Sequence, residues 1–130
     1  MFLSKVYVFQ VIEKAIIERK ILSIQYQHTT DSKIVNHKIA PFDIGTTNPK
    51  YLYQHKDNVY VYCFDHYDDN GLLDPTIVHF DINNFLSIIE TREFFDPTEL
   101  TDKYKMKSKN HFDYRTYKFA IAHDRKWYNN

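Results

Sequence analysis

The sequence predicts a mainly β domain of the α+β class, in which one N-terminal helix closes or caps a small barrel of about five short strands. Three observations carry this expectation. Apolar residues recur at helical spacing only between Tyr7 and Lys20. From Ile21 onward they alternate with a period of two, in short runs broken by turn residues. The stretch from Val59 to Phe85, VYVYCFDHYDDNGLLDPTIVHFDINNF, is rich in Tyr, Val and Phe on either side of an acidic loop containing Asn70-Gly71. It reads as a hairpin onto which the remaining elements pack.

Each element has its own signature. Val8, Val11, Ile12, Ala15 and Ile16 form the apolar stripe of an amphipathic helix, with Glu13, Lys14, Glu18 and Arg19 on the other side. Ser4 is the candidate N-cap, but position 7 is Tyr, so no capping box fixes the start. Ile21 to His28 reads as the first strand, with Leu22, Ile24, Tyr26 and His28 on one face. Thr29 to Lys33 is a turn, and Ile34 to Ile44 a second strand whose Pro41, lacking an N–H, belongs at an edge, bulge or strand end. Gly45 to Asp57 is an irregular connection within which Lys50-Tyr51-Leu52-Tyr53 offers a short extra strand. Val59 to His66, Thr76 to Ile82 and Leu86 to Thr91 complete the set. In the third strand Val59, Val61, Cys63 and Asp65 share one face and Tyr60, Tyr62, Phe64 and His66 the other. Both faces are largely apolar, so this strand belongs in the centre of the structure. Asp96-Pro97 opens a further helical turn.

At 130 residues the chain fits one domain, taken as residues 1–100, followed by an extension over 101–130 that is expected to dock in part. Net charge is zero but unevenly spread: residues 1–100 hold nine Lys and Arg against fourteen Asp and Glu, and 101–130 hold eight against three. The extension is therefore the basic region, with Lys103, Lys105, Lys107, Lys109 and Arg115 interleaved with tyrosines. Such a mixture suits single-stranded nucleic acid, and equally a solvated tail or one matched to the acidic body. The single cysteine, Cys63, excludes an intrachain disulfide, and its place in an apolar strand makes it an inert core thiol rather than a nucleophile. The N-terminus lacks a signal-peptide pattern and no run reaches a membrane span, so the expectation is a soluble cytoplasmic protein with no membrane partner.

Tyr26, His37, Tyr60, Tyr62, His66 and His79 are candidates to line one mouth of the barrel, offering aromatic faces to a base and imidazoles to an anion. The alternative is that the tyrosines are core and the histidines surface strand residues. His66, His79, Asp65 and Asp81 are of metal-ligand type, but adjacent Asp65 and His66 face opposite ways and no HExxH-like spacing occurs, so no metal or other cofactor is expected. Asp68-Asp69-Asn70-Gly71 is a turn rather than a calcium loop, since Ile77 falls where the bidentate Glu belongs.

The order of elements resembles the WYL domain, a bacterial module built on an Sm-like, SH3-type barrel and found mainly in transcriptional regulators and in proteins linked to phage defence. The resemblance spans roughly Val11 to Phe95. It rests on Ala15-Ile16 before Ile24-Gln25-Tyr26, His37-Lys38-Ile39-Ala40-Pro41, Val59-Tyr60-Val61 with Cys63 and His66, and Phe80-Asp81-Ile82-Asn83-Asn84-Phe85. The third group stands at the family's Trp-Tyr-Leu name motif, which Lys50-Tyr51-Leu52 also mimics, and the last resembles its Phe-x-Leu-Asp-Arg-Ile signature. The resemblance implies a regulatory module that binds a nucleotide-like ligand or nucleic acid, and it adds Asn84 to the candidate ligand contacts. The departures are specific: Asn84 replaces the signature arginine, Asn83 its aspartate, Val59 the Trp, and Val78 and His37 stand at basic positions. An arginine-based grip on phosphate is therefore missing. The chain also starts too close to the match for the regulators' winged helix, so a free-standing module is expected.

The leading expectation is thus a non-enzymatic regulatory module. A protein-interaction or assembly domain, homodimeric or joined to a partner protein, is the alternative, and an uncharacterised enzyme a third.

Overall fold

The fold is taken from a computed structural model, which describes residues 1–45, 58–97, 99, 100 and 103. Its elements are α1 (Lys5–Glu18), β1 (Lys20–Gln27), β2 (Ile34–Gly45), β3 (Asn58–Cys63), β4 (Thr76–Asp81), a 3-10 turn (Ile82–Asn84) and β5 (Phe85–Phe94). The expected elements fall within a few residues of these. The possible strand at Lys50–Tyr53 and the extension beyond Lys103 lie outside the described residues.

Ser4 caps α1, its hydroxyl accepting the Tyr7 N–H at 3.2 Å. The helix stops at Arg19, which enters the left-handed region at φ 59° while its N–H bonds the carbonyls of Ala15 and Ile16. That reversal sends the chain directly into β1. The Arg19 carbonyl then accepts the Phe95 N–H at 2.9 Å, fastening the end of β5 to the same corner.

The five strands form one antiparallel sheet in the order β4-β3-β2-β1-β5. β2 organises it: residues Ile34 to Ile39 pair with β1 and Ile39 to Gly45 with β3. Changing partners midway lets the sheet curl. Pro41 sits at a register shift between Pro41 and Asp43, so that of an edge, a bulge or a strand end it is the bulge that accommodates its missing donor. β4 and β5 end the sheet, and side chains tie the turn between them to β1. The Tyr26 hydroxyl accepts the Asp81 N–H at 2.9 Å, and Asn84 Nδ2 donates to the Gln27 carbonyl at 3.0 Å.

β3 is buried on both faces, as its alternation demands. On one side Val59, Val61 and Cys63 join Leu22, Ile24, Ile39, Phe80 and Phe85 beneath Val8, Ile12, Ala15 and Ile16 of α1. On the other, Tyr60 and Tyr62 join Ile21, Ala40 and Phe42, covered by Phe95 and Leu100 from the segment after β5. The helical turn expected at Asp96-Pro97 is present, with the Leu100 N–H bonded to the Asp96 carbonyl at 3.1 Å. No described helix is long and apolar enough to cross a membrane.

Phe85 is fully buried, its ring 5.4 Å from Tyr26 and 6.1 Å from Phe80. Phe85→Ala is expected to cost about 3–5 kcal/mol in chemical denaturation, the range for deleting a buried aromatic ring. Ile89→Ala, at a position 62% exposed, should change stability by less than about 0.5 kcal/mol.

Candidate functional site

Polar side chains gather where β2 and β3 part company. β3 ends at Cys63, the chain turns through Phe64 and Asp65, and the Asp65 carboxylate swings back over β2. Its Oδ1 lies 2.9 Å from His37 Nδ1 and accepts the Cys63 thiol at 3.4 Å. The Lys38 backbone N–H donates to both carboxylate oxygens at 3.1 Å. The meeting follows from register: Ile39 opposes Cys63, so two residues further along each strand His37 comes level with Asp65. His37 also lies on the Phe80 ring, centroids 5.8 Å apart. Burial, and then the Asp65 carboxylate, push the Cys63 thiol up to about 12. A fully buried thiol of that kind is a poor nucleophile.

The candidate ligand residues divide between the two faces of the sheet. Tyr26 and His37 lie on the helix side. Tyr26 is core, edge-on to Phe80 and Phe85, with its pKa raised by burial. Tyr60, Tyr62 and His79 share the opposite face. Tyr60 opposes His79 across β3 and β4, with ring centroids 5.9 Å apart, and His79 is the exposed member. Tyr62 stacks edge-on to Phe64, and burial raises its pKa. His66 stands in the loop after β3, its Nδ1 3.0 Å from the Asp74 carbonyl. Asn84 faces β1 rather than a mouth, through its bond to Gln27.

Among the candidate nucleic-acid contacts, Lys103 is the one within the described residues. Its Nζ pairs with Glu99 Oε1 at 3.0 Å, and that carboxylate raises the ammonium pKa. The charge of Lys103 also reaches the Tyr62 hydroxyl and favours its ionised form. Lys105, Lys107, Lys109 and Arg115 lie outside the described residues. Asp65 and Asp81 have partners other than His66 and His79. Asp81 caps the 3-10 turn through Asn83, and Asp65 turns to His37 and Cys63. The loop at Asp68 is a turn, its Oδ1 accepting the Asn70 and Leu72 N–H groups at 2.9 and 3.0 Å, with Gly71 at φ 77°.

Sequence reasoning missed two groups. The His37–Cys63–Asp65 set was hidden because it depends on the β2–β3 register. Asp43 is fully buried, with its Oδ1 accepting the Ile44 N–H at 2.8 Å. It faces Tyr60 only because the bulge shifts it there.

The folded state favours the neutral Cys63 thiol, so it holds that proton more tightly than an unfolded chain, whose thiol ionises near the ordinary value of 9.0. Its contribution to stability is complete below that pH and is lost as the pH climbs toward 12. Denaturant midpoints of the native chain are expected to fall more steeply above pH 9.0 than those of Cys63→Ala. Equal slopes would show that this thiol is not the group responsible.

No protein-family model matches the chain, and no curated protein matches it in sequence. Among solved structures it is similar to proteasome accessory factor B/C of Arthrobacter aurescens, with a TM-score of 0.52 and 13% identity. The similarity covers 85% of this chain but 14% of that one. At this identity the likeness is one of fold.

Proposed function

We propose that this chain is a WYL-like regulatory module, not an enzyme, that binds single-stranded nucleic acid or a nucleotide-like ligand on the sheet face opposite α1 and passes occupancy to a partner. One observation carries the reading: at that face the exposed imidazole of His79 packs at a tilt against the Tyr60 ring, centroids 5.9 Å apart, and the Lys103 charge acts on the Tyr62 hydroxyl. Single strands are held by rings and cations together, because every base has a π-face and every link a phosphate; with Tyr60 and Tyr62 buried, the exposed His79 imidazole is the ring offered here and Lys103 the cation. Lys105, Lys107 and Lys109 follow Lys103 in sequence and would extend the charge. His37, Tyr26 and Asn84 have structural partners elsewhere and take no part in this surface.

A second reading is an assembly domain. Val6 and Ile17, 67% and 63% exposed, lie on the side of α1 turned away from the core, and Ile89 and Phe94 of β5 are exposed to a similar degree. Exposed apolar groups on two neighbouring elements suit a protein partner or a second copy. Light scattering over a range of concentrations, without ligand, would reveal self-association.

The test is fluorescence anisotropy with labelled single-stranded DNA and RNA across a salt series. Replacing Lys103, Lys105, Lys107 and Lys109 together by Gln is expected to flatten the log–log salt slope by up to about 2.8, roughly 0.7 per lost phosphate contact. His79→Ala should weaken binding several-fold at constant salt, with the fold intact. Binding unmoved by either change would remove this face as the site, and no binding at all would favour the assembly domain.

A further inference from the structure

On the helix side of the sheet, away from His79 and Lys103, three side chains of different metal-ligating character converge. His37 from β2, Cys63 from the end of β3 and Asp65 from the following turn bring an imidazole nitrogen, a sulfur and a carboxylate oxygen within 4.8 Å of one another. We propose that His37, Cys63 and Asp65 bind a divalent transition-metal ion, zinc foremost, leaving a fourth coordination position to water.

The distances fit. With metal–ligand bonds of about 2.0–2.3 Å, donor atoms of a tetrahedral zinc site lie roughly 3.3–3.8 Å apart. Here Asp65 Oδ1 is 2.9 Å from His37 Nδ1 and 3.4 Å from Cys63 Sγ. Shifts of a few tenths of an ångström to about one would exchange the two hydrogen bonds for bonds to a shared cation.

The donor set selects the metal class. Thiolate and imidazole favour zinc and its neighbours, whereas calcium and magnesium require a shell of oxygens. One dication balances one thiolate and one carboxylate, so the filled site is neutral. Binding breaks the Cys63 S–H bond and releases its proton to solvent, and the imidazole proton shared with Asp65 leaves His37 Nδ1 as Nε2 takes one up from solvent, while S–metal, N–metal and O–metal bonds form. No electron transfer or further reactant is involved.

Support for the ligands is already in place. Asp65 Oδ2 holds the Lys38 backbone N–H at 3.1 Å, an outer-shell bond that fixes the carboxylate. The His37 ring is braced by Phe80. The Lys38 side chain, which would repel a cation, is drawn off to Glu93. Cys63 is fully buried while the side chains of His37 and Asp65 are 17% and 41% exposed, so an ion can enter from the His37 and Asp65 side.

The experiment is a Co2+ titration of the full, tag-free chain followed by absorption spectroscopy. Because Cys63 is the single cysteine in the sequence, a thiolate-to-cobalt charge-transfer band reports on this site alone. The expected result is saturation at one equivalent, with intensified visible bands of tetrahedral cobalt, and loss of the signal on adding Zn2+. Cys63→Ala should abolish the band. His37→Gln and Asp65→Asn should weaken Co2+ binding at least about tenfold, the loss that even an outer-shell partner can produce. No charge-transfer band at millimolar Co2+, or one that survives in Cys63→Ala, would overturn the site. If circular dichroism shows that Cys63→Ala does not fold, Asp65→Asn decides: unchanged Co2+ affinity overturns the proposal.

Discussion

A strand without a polar face must be covered on both sides, and β3 imposes that requirement on the whole chain. Its residues Val59 to Cys63 are all at most 6% exposed. α1 supplies one cover and the Phe95 to Leu100 segment the other. Neither cover is local to β3: one comes from the first twenty residues and the other from beyond β5. The ties at the Arg19 corner and at Tyr26 can be understood from the same demand, since they fasten the distant pieces whose apolar surfaces β3 needs.

Two-sided burial also separates two kinds of chemistry. The face beneath α1 is dry, and at its edge a single carboxylate serves a backbone N–H, an imidazole and a thiol at once. The reverse face carries tyrosines with the His79 imidazole at their margin, and the Lys103 charge acts on the Tyr62 hydroxyl. Side chains on adjacent positions of β3 therefore answer to different neighbours. A change at Tyr62 and a change at Cys63, one residue apart, act on opposite sides of the sheet.

Much of the fold was legible because it is written in local patterns. The stripe from Val8 to Ile16, the Ser4 cap and the alternation of β1, β3 and β4 each depend on a few neighbouring residues, and the donor Pro41 lacks marks an irregular place in the ladder without saying that it is a bulge. The relations between strands were less legible. Alternation shows that Tyr60 and Tyr62 share a face and that Tyr26 sits with Ile24. It does not show that these two faces are opposite sides of one sheet, which the pairing of β1 and β3 with β2 decides. For the same reason the gathering of His37, Cys63 and Asp65, and the turning of Asp43 toward Tyr60, were beyond reach: one extra residue at the bulge reverses the parity of everything after it. Asn84 departs from a signature arginine, and its neutral amide bonds the Gln27 carbonyl and ties the turn before β5 to β1.

The strand order has a consequence during synthesis. β1 finds β2 a few residues later, but its other edge is reserved for β5, some sixty residues downstream. Until Phe94 has left the ribosome, a nascent chain holds a hairpin with an open edge and the side chains of Leu22 and Ile24 without their full cover. Such edges are templates for pairing with other chains. The protein therefore completes its fold only after nearly all of the described sheet has been made.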